Sequence, residues 1–184
     1  MSKEKVILQL IPVFRQHGYE GTSLTMLSRA TGLGKASLYH YFPKGKQGMA
    51  NAVMEYIASS FKEEVLQPLE NTNPPQEKIV NMCRALTDFY ANGTNNCFLA
   101  IMSVGEADSL FHNQVKHRLE IWINAITEIL IAAGIEPQNA KERSQNAIAE
   151  IQGALILVRI LDEPKIFIRI LEKLPKKLIQ TARL

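Results

Sequence analysis

Residues 22–46, TSLTMLSRATGLGKASLYHYFPKGK, gather side chains suited to one kind of chemistry. Lys35 and Lys46 supply positive charge. Thr22, Ser23, Ser37 and Tyr39 supply hydroxyls, His40 an imidazole and Ala36 a small apolar contact. The stretch contains no aspartate or glutamate, so it holds no paired acid and base for proton transfer. Donors and cations without carboxylates fit phosphate oxygens and the edges of nucleic-acid bases. The charge distribution agrees. Residues 1–49 hold seven bases (Lys3, Lys5, Arg15, Arg29, Lys35, Lys44, Lys46) against two acids, Glu4 and Glu20, whereas the remaining 135 residues hold 14 bases and 16 acids. The formal charge of +3 therefore hides a cationic head on a near-neutral body, the pattern of a polyanion-binding module.

These side chains need a scaffold, and the pattern around them is helical. Val6, Leu10, Val13 and Phe14 form one apolar stripe on a helix predicted over residues 3–16, with Gly18 as its stop. Ser23 is a good N-cap for a helix over 24–31 ended by Gly32, and a second short helix spans 35–41 up to Phe42-Pro43. Two short helices joined by a glycine turn make a helix-turn-helix over 23–42. Leu24, Leu27, Ser28, Leu33, Leu38 and Phe42 then face inward onto the first helix. Lys35, Ala36, Ser37, Tyr39, His40 and Tyr41 face out: the first three lie nearest base edges, while Tyr39, His40 and Lys46 lie nearest phosphates.

Further along, the spacing predicts helices from 46 to about Pro68 and near 75–91, 97–105, 109–133, 138–161 and 164–182. Pro75, Pro137 and Pro164 sit in first turns, and Gly93, Gly134 and the Asp162–Glu163 pair close the helices between. Strand patterns are nearly absent, so the fold class is all-α: a three-helix head and a helical-bundle body. Broad apolar faces (Ile148, Ile151, Ala154, Leu155, Val158, then Ile166, Ile170, Leu171, Leu174) suggest burial against a second copy.

The N-terminal motif resembles the tetracycline-repressor (TetR) family of bacterial regulators. Phe14 and Gly18-Tyr19 match the end of its first helix, Thr22-Ser23 the helix start, and Leu27-Ser28 its Ile-Ala pair. Thr31-Gly32-Leu33-Gly34 stands for Ala-Gly-Val-Ser and Ala36-Ser37-Leu38-Tyr39 for Gly-Thr-Leu-Tyr. His40-Tyr41-Phe42 and Gly45-Lys46-Gln47 follow in register. Gly34 replaces the usual hydroxyl N-cap, and Ala36 replaces a glycine. The resemblance implies a DNA-binding domain over residues 1–55 and an effector-binding and dimerisation domain over 56–184. It further implies a homodimer on a double-stranded, palindromic DNA operator, released by a small apolar or aromatic effector. Phe61, Met82, Phe89, Phe98, Met102 and Trp122 are the candidate lining of that effector pocket. The alternative is a DNA-binding dimer that acts without any effector.

Other classes fit less well. No apolar run reaches the roughly 18–20 residues of a membrane helix, and the N-terminus does not read as a signal peptide, so a cytoplasmic protein is expected. Cys83 and Cys97 are too few for a disulfide framework and read as packing thiols. Glu106, His112 and His117 do not share one helical face, so no metal site is expected, and no cofactor. No catalytic constellation is legible, which argues against an enzyme.

Overall fold

The computed structural model describes residues 2–180, and among them all regular structure is helical. Nine α-helices follow in order: α1 (Lys3–His17), α2 (Leu24–Thr31), α3 (Lys35–Tyr41), α4 (Gly45–Phe61), α5 (Pro75–Phe89), α6 (Phe98–Ile101), α7 (Gly105–Ala132), α8 (Pro137–Leu161) and α9 (Lys165–Ile179). None of the described helices is long and apolar enough to cross a membrane.

Local chemistry sets many of these bounds. The Gly18 N–H donates to Phe14 O at 2.9 Å with φ +66°, so α1 ends where a side chain would be strained. Ser23 Oγ accepts from Met26 N–H at 3.2 Å and opens α2, while Gly32 closes it in the left-handed region. At α8, Pro137 takes the first turn, and the Glu136 carboxylate accepts from the amides of Gln138 and Asn139. Those two amides hold the Glu136 carboxyl below the ordinary carboxylate range.

The structure departs from the predicted elements in four places. The long helix expected to reach Pro68 is α-helical only to Phe61; a π-helical turn over Lys62–Leu66 and a 3-10 turn over Gln67–Leu69 complete it. Pro68 has no N–H, and its ring crowds the carbonyl four residues back, at Glu64, so the backbone rewinds before it. The segment predicted over 97–105 is a single turn, α6, and α7 begins at Gly105, four residues earlier than the predicted 109. Gly105 has φ +61°, which breaks the helical path there and restarts it. Helix α9 ends at Ile179 and carries Pro175 inside it; the predicted end at 182 lies outside the described residues. Finally, α5 stops at Phe89, and the turn after it holds positive φ at Ala91, Asn92 and Gly93.

Packing groups the residues into two units. The first comprises residues up to Ser59 together with Phe98–Val115. The sequence expectation places one boundary near residue 55, whereas packing also draws α6 and the first turns of α7 to the head. Its core is Val6, Leu10 and Phe14 of α1 with Leu27, Leu38, Phe42, Met49, Val53, Phe98, Met102 and Phe111. The second unit comprises Ser60–Cys97 and the chain from Lys116 onward. There α9 packs on both α5 and α8, and Thr127 Oγ1 on α7 donates to Ser144 Oγ on α8 at 3.0 Å.

The apolar faces expected to meet a second copy are mostly consumed within this unit. Ile148, Ile151, Ala154, Leu155, Val158, Ile166, Leu171 and Leu174 are buried, and Ile170 is half-buried. The exposed apolar residues of α8 are instead Ile156, Leu157, Ile160 and Leu161. At about 100° per residue they fall on the side opposite the buried row, so this end of α8 is apolar on both sides.

Gly93 illustrates how tightly the second unit is closed. Its φ is +92°, and a Cβ there would lie 2.7 Å from Phe167 Cβ. Gly93→Ala is expected to destabilise the protein by about 1–3 kcal/mol, measured as a lower urea midpoint at unchanged slope.

Candidate nucleic-acid interface

The turn between α2 and α3 is locked by hydroxyls. Ser28 Oγ donates to Leu33 O, and Thr31 Oγ1 donates to Leu27 O at 2.8 Å while accepting from Leu33 N–H at 3.3 Å. These bonds satisfy backbone groups that the sharp turn leaves outside either helix. They hold α3 with Leu38 fully buried and Lys35, Ala36, Ser37, Tyr39 and His40 exposed, whereas Tyr41, expected to face out, packs half-buried against the core. Gly34 gives α3 no side-chain cap. Tyr39 is 45% exposed, with its ring against the Gly45 backbone. Gly45 has φ +58°, and a Cβ there would lie 3.0 Å from the Tyr39 ring, so glycine sets how Tyr39 stands.

Three of the residues expected at DNA have other engagements. Thr22 is buried, and its Oγ1 donates to Gly18 O at 2.6 Å, so its hydroxyl serves the α1–α2 turn rather than an outward contact. Ser23 is exposed, but its Oγ is the N-cap of α2. Lys46 is half-buried; its Nζ donates to Tyr19 O at 3.0 Å and lies 4.2 Å from the Tyr19 ring centroid.

The structure also joins residues that no local pattern connects. The Glu20 carboxylate accepts the backbone N–H of Glu106 in the first turn of α7, and Tyr19 meets Phe111 edge-to-face at 5.7 Å. The N–H groups of Glu20 itself and of Glu106 hold the Glu20 carboxyl below the ordinary carboxylate range; Ala107 N–H and Lys46 act in the same direction. Burial, then the charges of Glu106 and Glu20, push the Tyr19 hydroxyl up. A carboxyl with a lowered folded pKa contributes stability above its unfolded pKa and loses it as pH falls through the folded one, so this contact persists at neutral pH.

Comparison with known proteins gives the arrangement its context. Residues 11–53 match the model described as bacterial regulatory proteins, tetR family. Residues 75–173, over half the chain, match the C-terminal domain of LmrA/YxaF-like transcriptional regulators. The chain belongs to the TetR family. It is a DNA-binding transcriptional regulator, not an enzyme. The HTH-type transcriptional regulator LmrA of Bacillus subtilis is 24% identical over 160 residues, 85% of each chain. An uncharacterised HTH-type regulator of Mycobacterium tuberculosis is 23% identical over 168 residues, 86% of this chain and 84% of its own. Among solved structures, a TetR regulator from Legionella pneumophila shares the fold at TM-score 0.82 with 19% identity, covering 96% of this chain and 97% of its own. One from Chloroflexus aurantiacus does so at 0.81 with 24% identity, covering 99% and 96%.

Within this TetR-family chain, the residues suggested for an effector pocket divide between the units. In the second unit, Phe61 meets Trp122 edge-to-face at 5.0 Å and Phe89 at 5.2 Å, immediately before the π-helical turn. Trp122 is buried, and its Nε1 has no hydrogen-bond partner among the described residues. Met82 is buried on α5 of the same unit. Phe98 and Met102 instead belong to the core of the first unit. An open groove of the second unit lies elsewhere, along Arg143, Glu150, Lys173, Lys177 and Gln180. Arg143 Nη1 donates to Leu178 O and Gln180 O there, and Lys177 pairs with Glu150. Among the described residues no three potential ligands gather around a metal position.

Both thiols are buried, and burial pushes Cys83 up to about 12. Cys83 should therefore resist iodoacetamide at pH 8 in the folded protein and react readily in urea; rapid labelling of the native chain at Cys83 would contradict a packing role.

Proposed function

We propose that the chain is a homodimeric repressor that reads a palindromic operator with α3 and is released by a small apolar or aromatic effector, acting in the cytoplasm. The observation that carries the DNA reading is the orientation of α3: Leu38 is anchored in the core while Lys35, Ala36, Ser37, Tyr39 and His40 stand free of it. A reading helix must offer its polar face outward from a rigid mount. Lys35, Ala36 and Ser37 are assigned to base edges, Tyr39 and His40 to phosphates. Ser23 and the amides at the start of α2 add a phosphate contact. Lys46 acts by holding Tyr19, and Thr22 by holding the turn.

A dimer is needed because two reading helices must reach successive major grooves about 34 Å apart. The exposed row Ile156, Leu157, Ile160 and Leu161 on α8 supports pairing there, since apolar surface of that kind gains by leaving water. For the effector, the reading rests on Phe61, Phe89 and Trp122. An aromatic ligand would find edge-to-face partners there, and a ligand acceptor would satisfy the Trp122 N–H. Such a ligand changes operator binding only by binding the two dimer geometries unequally.

Three measurements test these parts. Operator affinity should fall steeply with salt, and Lys35→Ala should cost about 1–3 kcal/mol and relax discrimination at the base pair it reads; a flat slope in the wild type overturns the DNA reading. Ile160→Asp should convert the dimer to monomer in sedimentation. Trp122 is the chain's one tryptophan, so a bound aromatic effector should change its emission as operator is released. If a series of neutral aromatics changes neither, the chain is a DNA-binding dimer without an effector.

A further inference from the structure

We propose that Glu20 is a positioning residue for DNA binding: by capping the first turn of α7, its carboxylate fixes the helix-turn-helix in the geometry that reads the operator. This rests on the reading of α3 as the DNA-reading helix.

The argument begins with an anomaly of charge. Residues 1–49 carry two acids, and Glu20 sits three residues before Ser23, which opens α2. A free carboxylate at that edge of a DNA-binding head would repel phosphates. The structure turns it away. Glu20 accepts the N–H of Glu106, 86 residues distant in sequence, at the positively polarised start of α7. The helix end accommodates it by having glycine first: Gly105 has φ +61°, and a Cβ there would collide with the Glu20 carboxylate. Glycine is favoured there by its backbone angle, and the missing Cβ leaves room for the Glu20 carboxylate, which a side chain would displace.

The neighbours of Glu20 point the same way. Tyr19 packs edge-to-face on Phe111, one α-helical layer further along α7, and Lys46 at the start of α4 holds both the carbonyl and the ring of Tyr19. The α1–α2 turn is therefore pinned by a charge at one residue and a ring at the next. The turn leads into Thr22, whose hydroxyl returns to Gly18, and then into the capped start of α2. Releasing Glu20 loosens the segment from which the reading helix is hung and presents an acid to the DNA.

The two possible roles of Glu20 predict opposite signs. If it were only a solvated surface acid, removing it would raise DNA affinity by relieving repulsion. As a positioning residue, its removal lowers affinity without changing the number of phosphate contacts. The test uses the full-length dimer and the duplex that the wild type selects from a random pool, with anisotropy titrations at several salt concentrations and far-UV circular dichroism to confirm folding. Glu20→Ala should bind about threefold or more weakly with an unchanged salt slope. Glu20→Gln should recover part of that loss, because its amide oxygen still accepts from Glu106. Gly105→Ala should weaken binding in the wild type and do so less in the Glu20→Ala background. Glu20→Ala binding as tightly as the wild type or more tightly, or additive effects of the two substitutions, overturns the proposal. If Glu20→Ala does not fold, Glu20→Gln decides: affinity at or above that of the wild type overturns it. If the wild type selects no duplex, the DNA reading itself falls, which separates the two failures.

Discussion

Helices of eight and seven residues, α2 and α3, cannot hold their shape in water through backbone hydrogen bonds alone. The exposed face of α3 exists because Val6, Leu10 and Phe14 of α1 share one core with Leu27, Leu38 and Phe42. Everything exposed on α3 follows from that burial. Leu38 is the fully buried side chain of α3 and Tyr41 packs half-buried against the same core, which leaves Lys35, Ala36, Ser37, Tyr39 and His40 exposed.

The cationic head contributes less free charge to a partner than its composition suggests. Lys46 is held against Tyr19, and Lys3 lies over the Phe42 ring at 5.4 Å. These cations also serve the scaffold, through their stems and through contact with ring faces. Lys35, Tyr39 and His40 stay exposed on α3, as do Lys5, Arg29 and Lys44 elsewhere in the head. The hydroxyls divide in the same way, with Thr22, Ser28 and Thr31 serving turns and Ser37 exposed.

In the second unit, the same hydrophobic accounting leaves residues over. Helix α8 is apolar on its inner row and again at Ile156, Leu157, Ile160 and Leu161, more than one neighbour can cover. The aromatic series Trp122, Phe61, Phe89, Tyr90 and Phe167 runs through that unit by successive edge-to-face contacts, with an indole N–H buried at one end. A buried donor beside the apolar rings of Phe61 and Phe89 is a polar feature that packing alone does not require.

What could be read along the chain was whatever chemistry acts within one or two turns. Ser23 as a cap, Gly18 and Gly32 as stops, Pro75 and Pro137 as first-turn residues, and the α1 stripe all work through neighbours three or four positions away, so their spacing states their role. Pro68 marked an end, but the π-helical turn before it depends on how the backbone disposes of a missing N–H, which spacing does not encode. The broad apolar faces of α8 and α9 were visible too, yet which residues turn inward is settled by where α5 and α9 pack. Least legible were Glu20 with Glu106 and Lys46 with Tyr19, because hydrogen bonds between residues far apart in sequence leave no periodic trace. Sequence alone therefore determined the all-helical class, the caps and stops of α1 and α2 and the inward placing of Leu38 on α3, through local geometry. Tertiary structure decided which polar groups remain free, because only packing brings distant partners within hydrogen-bond reach.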